Sequence, residues 1–274
     1  VKIRTTEREH QFRTDFFDRL NIHQLEGLTL DTAYHFTACI EAVDYEAGEE
    51  ISVETLYTPQ EIGARHIIAN KLGIPFYMVA QRDWEFHIYE VLYPSGEYKF
   101  LYKLDRAPFL IWWSRIKGTR QPKRLYEAQP RVSRSSFDNL LEANNMAWGG
   151  NVDGYIVKDN EIKAIVENIF TAKFELTDQK ADPARYFHTK GPNYNSWLPN
   201  VKLAQAFDVP LFLFTYEAGS ADERIGFTVV DSLSRRGIVY RNNVHPYQNV
   251  LTGMNNIVEA VESRLNEPAP SLNK

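Results

Sequence analysis

A single cysteine stands in 274 residues. That scarcity excludes an internal disulfide and any cysteine-based zinc site, and the apolar neighbours of Cys39 make it a buried, inert thiol. Positive charge is also short: the net charge of −5 gives no global attraction to nucleic acid, so such contact must come from a local basic patch. No run approaches the roughly 20 apolar residues needed to span a bilayer, and no signal-peptide pattern opens the chain, so the expectation is a cytoplasmic protein without membrane contact. A Gly-rich phosphate loop, His-Glu-x-x-His and Gly-x-Ser-x-Gly are all missing, which weakens kinase, protease and esterase readings. With 43% hydrophobic and 24% charged residues the composition is that of a folded globular chain, apart from a Pro-rich polar tail over 267–274 read as flexible.

What the chain does hold is a hairpin with an acid on each strand. Over 150–157 Val152, Gly154 and Ile156 share one face, with Asp153 and Tyr155 on the other. Lys158-Asp159-Asn160 is the turn, since Asp and Asn tolerate positive φ. Along 162–170 Glu167 alternates out of phase with Val166 and Asn168, and the pairing makes it a near neighbour of Asp153. Two carboxylates on adjacent strands repel, and burying both is costly without a cation. Hard oxygen ligands of this kind suit Mg²⁺.

Asp153, the hairpin and Glu167 together resemble the signature of the PD-(D/E)xK nuclease superfamily: an Asp, a hairpin, then a Glu followed two residues later by Lys. Here Ile169 fills the lysine slot. A literal Glu161-Ile162-Lys163 is rejected because Glu161 lies beside the turn, away from Asp153. Lys163 and Lys173 share the strand parity of Glu167 but lie ~13 Å or more from it along the strand. The resemblance implies a Mg²⁺ site (Mn²⁺ as substitute) made by Asp153, Glu167 and the Asn168 carbonyl. It also implies a basic group from a neighbouring element, for which Lys190 and Lys202 are the candidates.

Expected elements extend the resemblance over 136–231: a helix over 136–147, the hairpin, a helix over 197–207 with Pro199 in its first turn, a buried strand over 211–216 and another over 225–230. That order implies an α/β fold with a restriction-endonuclease-like αβββαβ core. The first half suggests the same order in tandem: a helix over 6–20, strands over 35–43 and 51–57, a helix over 60–72 and an apolar strand over 76–80. This reading sets Glu41 opposite Glu54 as an echo of Asp153 and Glu167 and makes the two halves a candidate intramolecular pseudo-dimer. Further strands are expected over 86–92, 98–102 and 109–113, with a last helix over 254–265. The resulting division is an N-terminal α/β domain over 1–118, a basic linker over 119–135, a nuclease-like domain over 136–266, and the tail.

Arg115, Lys117, Arg120, Lys123, Arg124, Arg131 and Arg134 make a basic stretch with Glu127 as its one acid. Such a run is ordinarily a solvated linker; beside a nuclease-like hairpin it becomes a candidate for phosphate contact, with DNA the first expectation and RNA the second. Two functions stay open: a Mg²⁺-dependent endonuclease, restriction- or defence-type, and a catalytically inactive nuclease-like module that binds nucleic acid or a protein partner.

Overall fold

A computed structural model of the chain describes residues 16–120, 126, 136–146, 150–171, 193–217, 224–241 and 248–273. It is α/β, with parallel and antiparallel strand pairs mixed, and its contacts divide into two compact units. The first comprises Leu25–Asn151. The second joins the described residues up to Gln24 to Val152 and beyond.

In the first unit, β1 (Ile22–Leu30, entering from the second unit's chain) pairs antiparallel with β2 (Phe36–Asp44). Helix α1 (Pro59–Leu72) then returns the chain to β3 (Phe76–Arg82), parallel to β2, and β4 (Glu85–Val91) and β5 (Tyr98–Leu104) follow antiparallel. The start of α1 is fixed locally by a capping box: Thr58 Oγ1 accepts from the Glu61 N–H, the Glu61 carboxylate accepts from the Thr58 N–H, and Pro59 sits where its missing N–H costs nothing. Gly73, at φ +65°, ends it in the left-handed conformation that glycine adopts without penalty.

Two expectations fail in this unit. Residues 51–57 do not form a strand: Ser52 and Thr55 bond locally, the Tyr45 hydroxyl takes the Ser52 carbonyl, and Val53–Thr55 closes as a 3₁₀ turn. Residues 109–113 are helical, in α2 (Arg106–Ile116), with Pro108 tolerated in the first turn. Phe109 and Trp113 are one helical turn apart and wholly buried, and Phe109 stacks on Phe86 at 3.9 Å between centroids. A run of five apolar residues fits a buried strand or a helix equally well. Trp112 and Trp113 pack against the core.

Helix α3 (Ser136–Ala143) contributes Phe137, Leu140 and Leu141 to that same core, so it belongs with the first unit and not with the hairpin it precedes. The helical turn at Asp18–Leu20 likewise places Phe16, Phe17 and Leu20 in the second unit's core.

The second unit repeats the order of the first. Strands β6 (Gly150–Lys158) and β7 (Glu161–Thr171) form the expected hairpin, α4 (Asn193–Phe207) crosses over, β8 (Leu211–Glu217) lies parallel to β7, and β9 (Arg224–Ser234) and β10 (Gly237–Tyr240) follow antiparallel. Helix α4 starts earlier than expected, at Asn193, so Pro199 lies inside it rather than in its first turn. After β11 (Gln248–Asn249) and α5 (Val250–Glu262), the tail is tied down, not loose. Arg241 donates to the carbonyl of Pro268, Gln205 to that of Pro270, and β12 (Ser271–Leu272) pairs parallel with β9.

Gly154 is a spacing requirement. A Cβ there would lie 2.6 Å from Ile22 Cγ2 and 3.2 Å from Val166 Cβ. Gly154→Val is therefore expected to cost about 1–3 kcal/mol through overpacking, read as a lower midpoint in urea with an unchanged slope.

Candidate metal centre

The β6–β7 register pairs Gly154 with Val166, so one step further along the ladder Asp153 faces Glu167. Both side chains are partly buried. The Asn168 N–H donates to Asp153 Oδ2 at 2.9 Å, and the Gln24 side-chain amide holds the Asp153 carbonyl at 2.8 Å. From α4 the Asn200 amide donates to Glu167 Oε2. Asn200 is 1% exposed, and its Oδ1 has no hydrogen-bond partner. Burial pushes the Glu167 carboxyl well above the ordinary range, the Asp153 charge adds to this, and the Asn200 bond only partly opposes it. Among the described residues no cationic side chain forms an ion pair with Glu167.

These features fit a hard divalent cation. Two carboxylate groups are donors such ions prefer, and a buried amide oxygen without a partner is an atom that a cation or its water would satisfy. Among the described residues no group of three His, Cys, Asp or Glu side chains gathers, so a protein-only cage is absent there. A Mg²⁺ ion, which keeps several waters, does not need one.

The raised carboxyl has a sign that can be checked. Below the ordinary Glu range of about 4.3, Glu167 is protonated folded and unfolded, and its contribution to stability is fully present. As pH rises toward the folded value, the unfolded chain ionises first and that contribution is lost. The advantage of Glu167→Gln over the metal-free parent in Tm is expected to grow from pH 4 to pH 8; a constant difference would contradict the buried-pair geometry.

The first unit holds the same arrangement, though not where the sequence placed it. Glu54 is exposed in the 3₁₀ turn and does not face Glu41. The partner is Glu26 on β1: Gly27 pairs with Ile40, as Gly154 pairs with Val166. The Ala42 N–H donates to Glu26 Oε2 at 2.9 Å, as Asn168 does to Asp153. The ladder irregularity falls at Thr29/Leu30 in one hairpin and at Ile156/Val157 in the other, three residues beyond each acid. β1 is hard to see in the sequence because a charged Glu beside Gly in mid-run looks like a strand breaker. The acid-glycine pair shared by Glu26-Gly27 and Asp153-Gly154 was the available signal.

What meets the second acid differs between the two. Arg65 of α1 donates from Nε to Glu41 Oε1 at 2.8 Å, both side chains being nearly inaccessible. The Tyr57 hydroxyl donates to Glu41 Oε2 at 2.8 Å, and its ring lies 4.1 Å beneath the guanidinium. Burial and the Glu41 charge push that hydroxyl far up, which keeps it a donor.

The other expected site residues are placed as follows. Lys202 lies on α4 two positions after Asn200, about 200° around the helix, and among the described residues it makes no bond to either acid; the helical period turns it away. Lys190, Lys123, Arg124, Arg131 and Arg134 lie outside the described residues. Glu161 pairs with Lys163 at the turn, in keeping with the rejection of that motif. Within the basic stretch Arg115 and Arg120 are exposed, but Lys117 is buried at 8% exposure and desolvation lowers its amine to about 8, so it is not part of a basic surface. Cys39 is buried and its thiol is pushed up by desolvation, as expected of an inert thiol. Among the described residues no helix is long and apolar enough to cross a membrane.

Comparison of the chain with protein-family models, with curated proteins and with solved structures gave no match.

Proposed function

We propose that the second unit is a divalent-cation-dependent phosphodiesterase of the PD-(D/E)xK type, with a restriction-endonuclease-like core, acting as an endonuclease on DNA. The observation that carries this reading is the facing of Asp153 and Glu167 across the β6–β7 hairpin beside the buried, half-satisfied Asn200 amide. Hairpin, crossover helix, parallel strand and antiparallel strand support the fold assignment.

Under this reading Asp153, Glu167 and the Asn168 carbonyl hold Mg²⁺ or Mn²⁺. Such an ion polarises a scissile phosphate and lowers the pKa of an attacking water. The chain's own residues supply position: the Asn168 N–H fixes the Asp153 carboxylate, and the Asn200 amide fixes that of Glu167. Arg115 and Arg120 are the exposed cations proposed for phosphate contact.

The second reading, a catalytically inactive nuclease-like module, is favoured by one feature. Ile169 stands where the superfamily carries lysine, and among the described residues no lysine replaces it at Glu167. Incubating supercoiled plasmid and single-stranded DNA and RNA with Mg²⁺ or Mn²⁺ decides between them. Cation-dependent cleavage is expected, with DNA preferred; none with any substrate leaves the binding module.

A further inference from the structure

The two units carry equivalent acid pairs, and one helix position decides what meets the second acid of each: a guanidinium at Glu41, a neutral amide at Glu167. Arg65 and Asn200 are each the tenth residue before a proline, Pro75 or Pro210. Those prolines are equivalent in the fold. The Pro75 carbonyl accepts from the Cys39 N–H at 2.9 Å, and the Pro210 carbonyl from the Ile165 N–H at 2.9 Å, each donor standing two residues before the second acid. Both helices end alike: Gly73 and Asp208 have positive φ, and the next N–H, of Ile74 or Val209, returns to Ala69 or Ala204 at 3.0 Å. Arg65 and Asn200 therefore reach the second acid from the same place, Arg65 onto Glu41 and Asn200 onto Glu167.

We propose that this position decides whether the second acid of the pair is met by a built-in cation or by one from solution: the Arg65 guanidinium occupies beside Glu41 the place that a divalent ion takes beside Glu167. The inference rests on the cation site proposed for Asp153 and Glu167. Two observations support it. At Arg65 the cation is built in, with ion-pair geometry to Glu41 and the Tyr57 ring beneath it. At Asn200 the amide is almost fully buried and its oxygen has no partner, as a position adjoining an exchangeable ion requires. A guanidinium is permanently charged and satisfies carboxylate oxygens directly, so the first unit needs no ion.

Reciprocal exchange tests the proposal. Mn²⁺ binding to the full chain is measured by calorimetry and by loss of the free-ion electron paramagnetic resonance signal. One ion per chain is expected for the parent, two for Arg65→Asn, none for Asn200→Arg, and one for the double variant. Affinity at the second unit is expected to fall by at least about 100-fold in Asn200→Arg. Arg65→Asn is also expected to regain Tm as Mn²⁺ is added, which reads binding even if the ion-free variant is only partly folded. A folded Arg65→Asn protein that binds no more Mn²⁺ than the parent overturns the proposal, as does a folded Asn200→Arg protein that binds it with parental affinity. If the parent binds no Mn²⁺, the site in the second unit is refuted. Arg65→Asn is then still expected to bind one ion, and binding none refutes the exchange itself.

Discussion

Glu167→Gln is expected to lower cation-dependent DNA cleavage by about 1,000-fold or more, the equivalent of ~4 kcal/mol of lost transition-state stabilisation, while raising the Tm of the metal-free protein at neutral pH. The two effects have one cause. Glu167 is partly buried beside Asp153, with a neutral amide as its partner, and its charge is unfavourable until an ion arrives. Removing the charge relieves the repulsion and, under the proposed function, removes a metal ligand. Asp153→Ala is expected to lose activity to a similar extent, since its carboxylate is held by the Asn168 N–H in the position that faces Glu167. Wild-type cleavage rates in both variants would move the site elsewhere.

The second large effect is on stability. Arg65→Met strands Glu41 as a buried carboxylate whose remaining side-chain donor is Tyr57. Breaking a buried pair from one side costs about 3–5 kcal/mol, on the order of 10 °C in Tm for a chain of this size. The double variant Glu41→Gln/Arg65→Met is expected to recover much of that loss, because no uncompensated charge is left behind. Two single losses that simply add would show that Arg65 acts through packing rather than through its charge. The same substitution at the other unit's equivalent, Asn200→Met, removes one hydrogen bond from a neutral amide and no cation, and is expected to cost less in the metal-free state.

The second unit was largely legible in the sequence because its signals are local. Alternation fixed β6 and β7, the Asp159-Asn160 turn fixed their register, and an unbroken apolar run marked β8 as a central strand. Asp153 and Glu167 follow from that register alone. Asn200 does not, since its approach to Glu167 depends on how α4 crosses back over the sheet. A polar residue on a helix carries no mark of which side faces an acid.

The first unit misled for a related reason. Glu41 is legible in the sequence, but the strand before it is not, because Glu26-Gly27 breaks the apolar pattern at the very place where the acid pair is built. Glu54 offers itself in its stead as an acid at hairpin distance. Local hydrogen bonds of Ser52 and Thr55 turned that segment into a 3₁₀ loop, leaving Glu54 in solvent. The repeated order of elements is thus visible in the sequence, but only the ladder registers align it: Glu26 with Asp153, Glu41 with Glu167, and Arg65 with Asn200.

Everything functional turns on whether Asp153 and Glu167 bind a divalent ion. Calorimetric titration of Mn²⁺ into the parent chain, Asp153→Asn and Glu167→Gln addresses this without relying on catalysis. The expected result is one ion bound by the parent, with affinity reduced by about 10- to 100-fold or more in each variant. A parent that binds no Mn²⁺, or variants that bind it as tightly as the parent, would contradict the account.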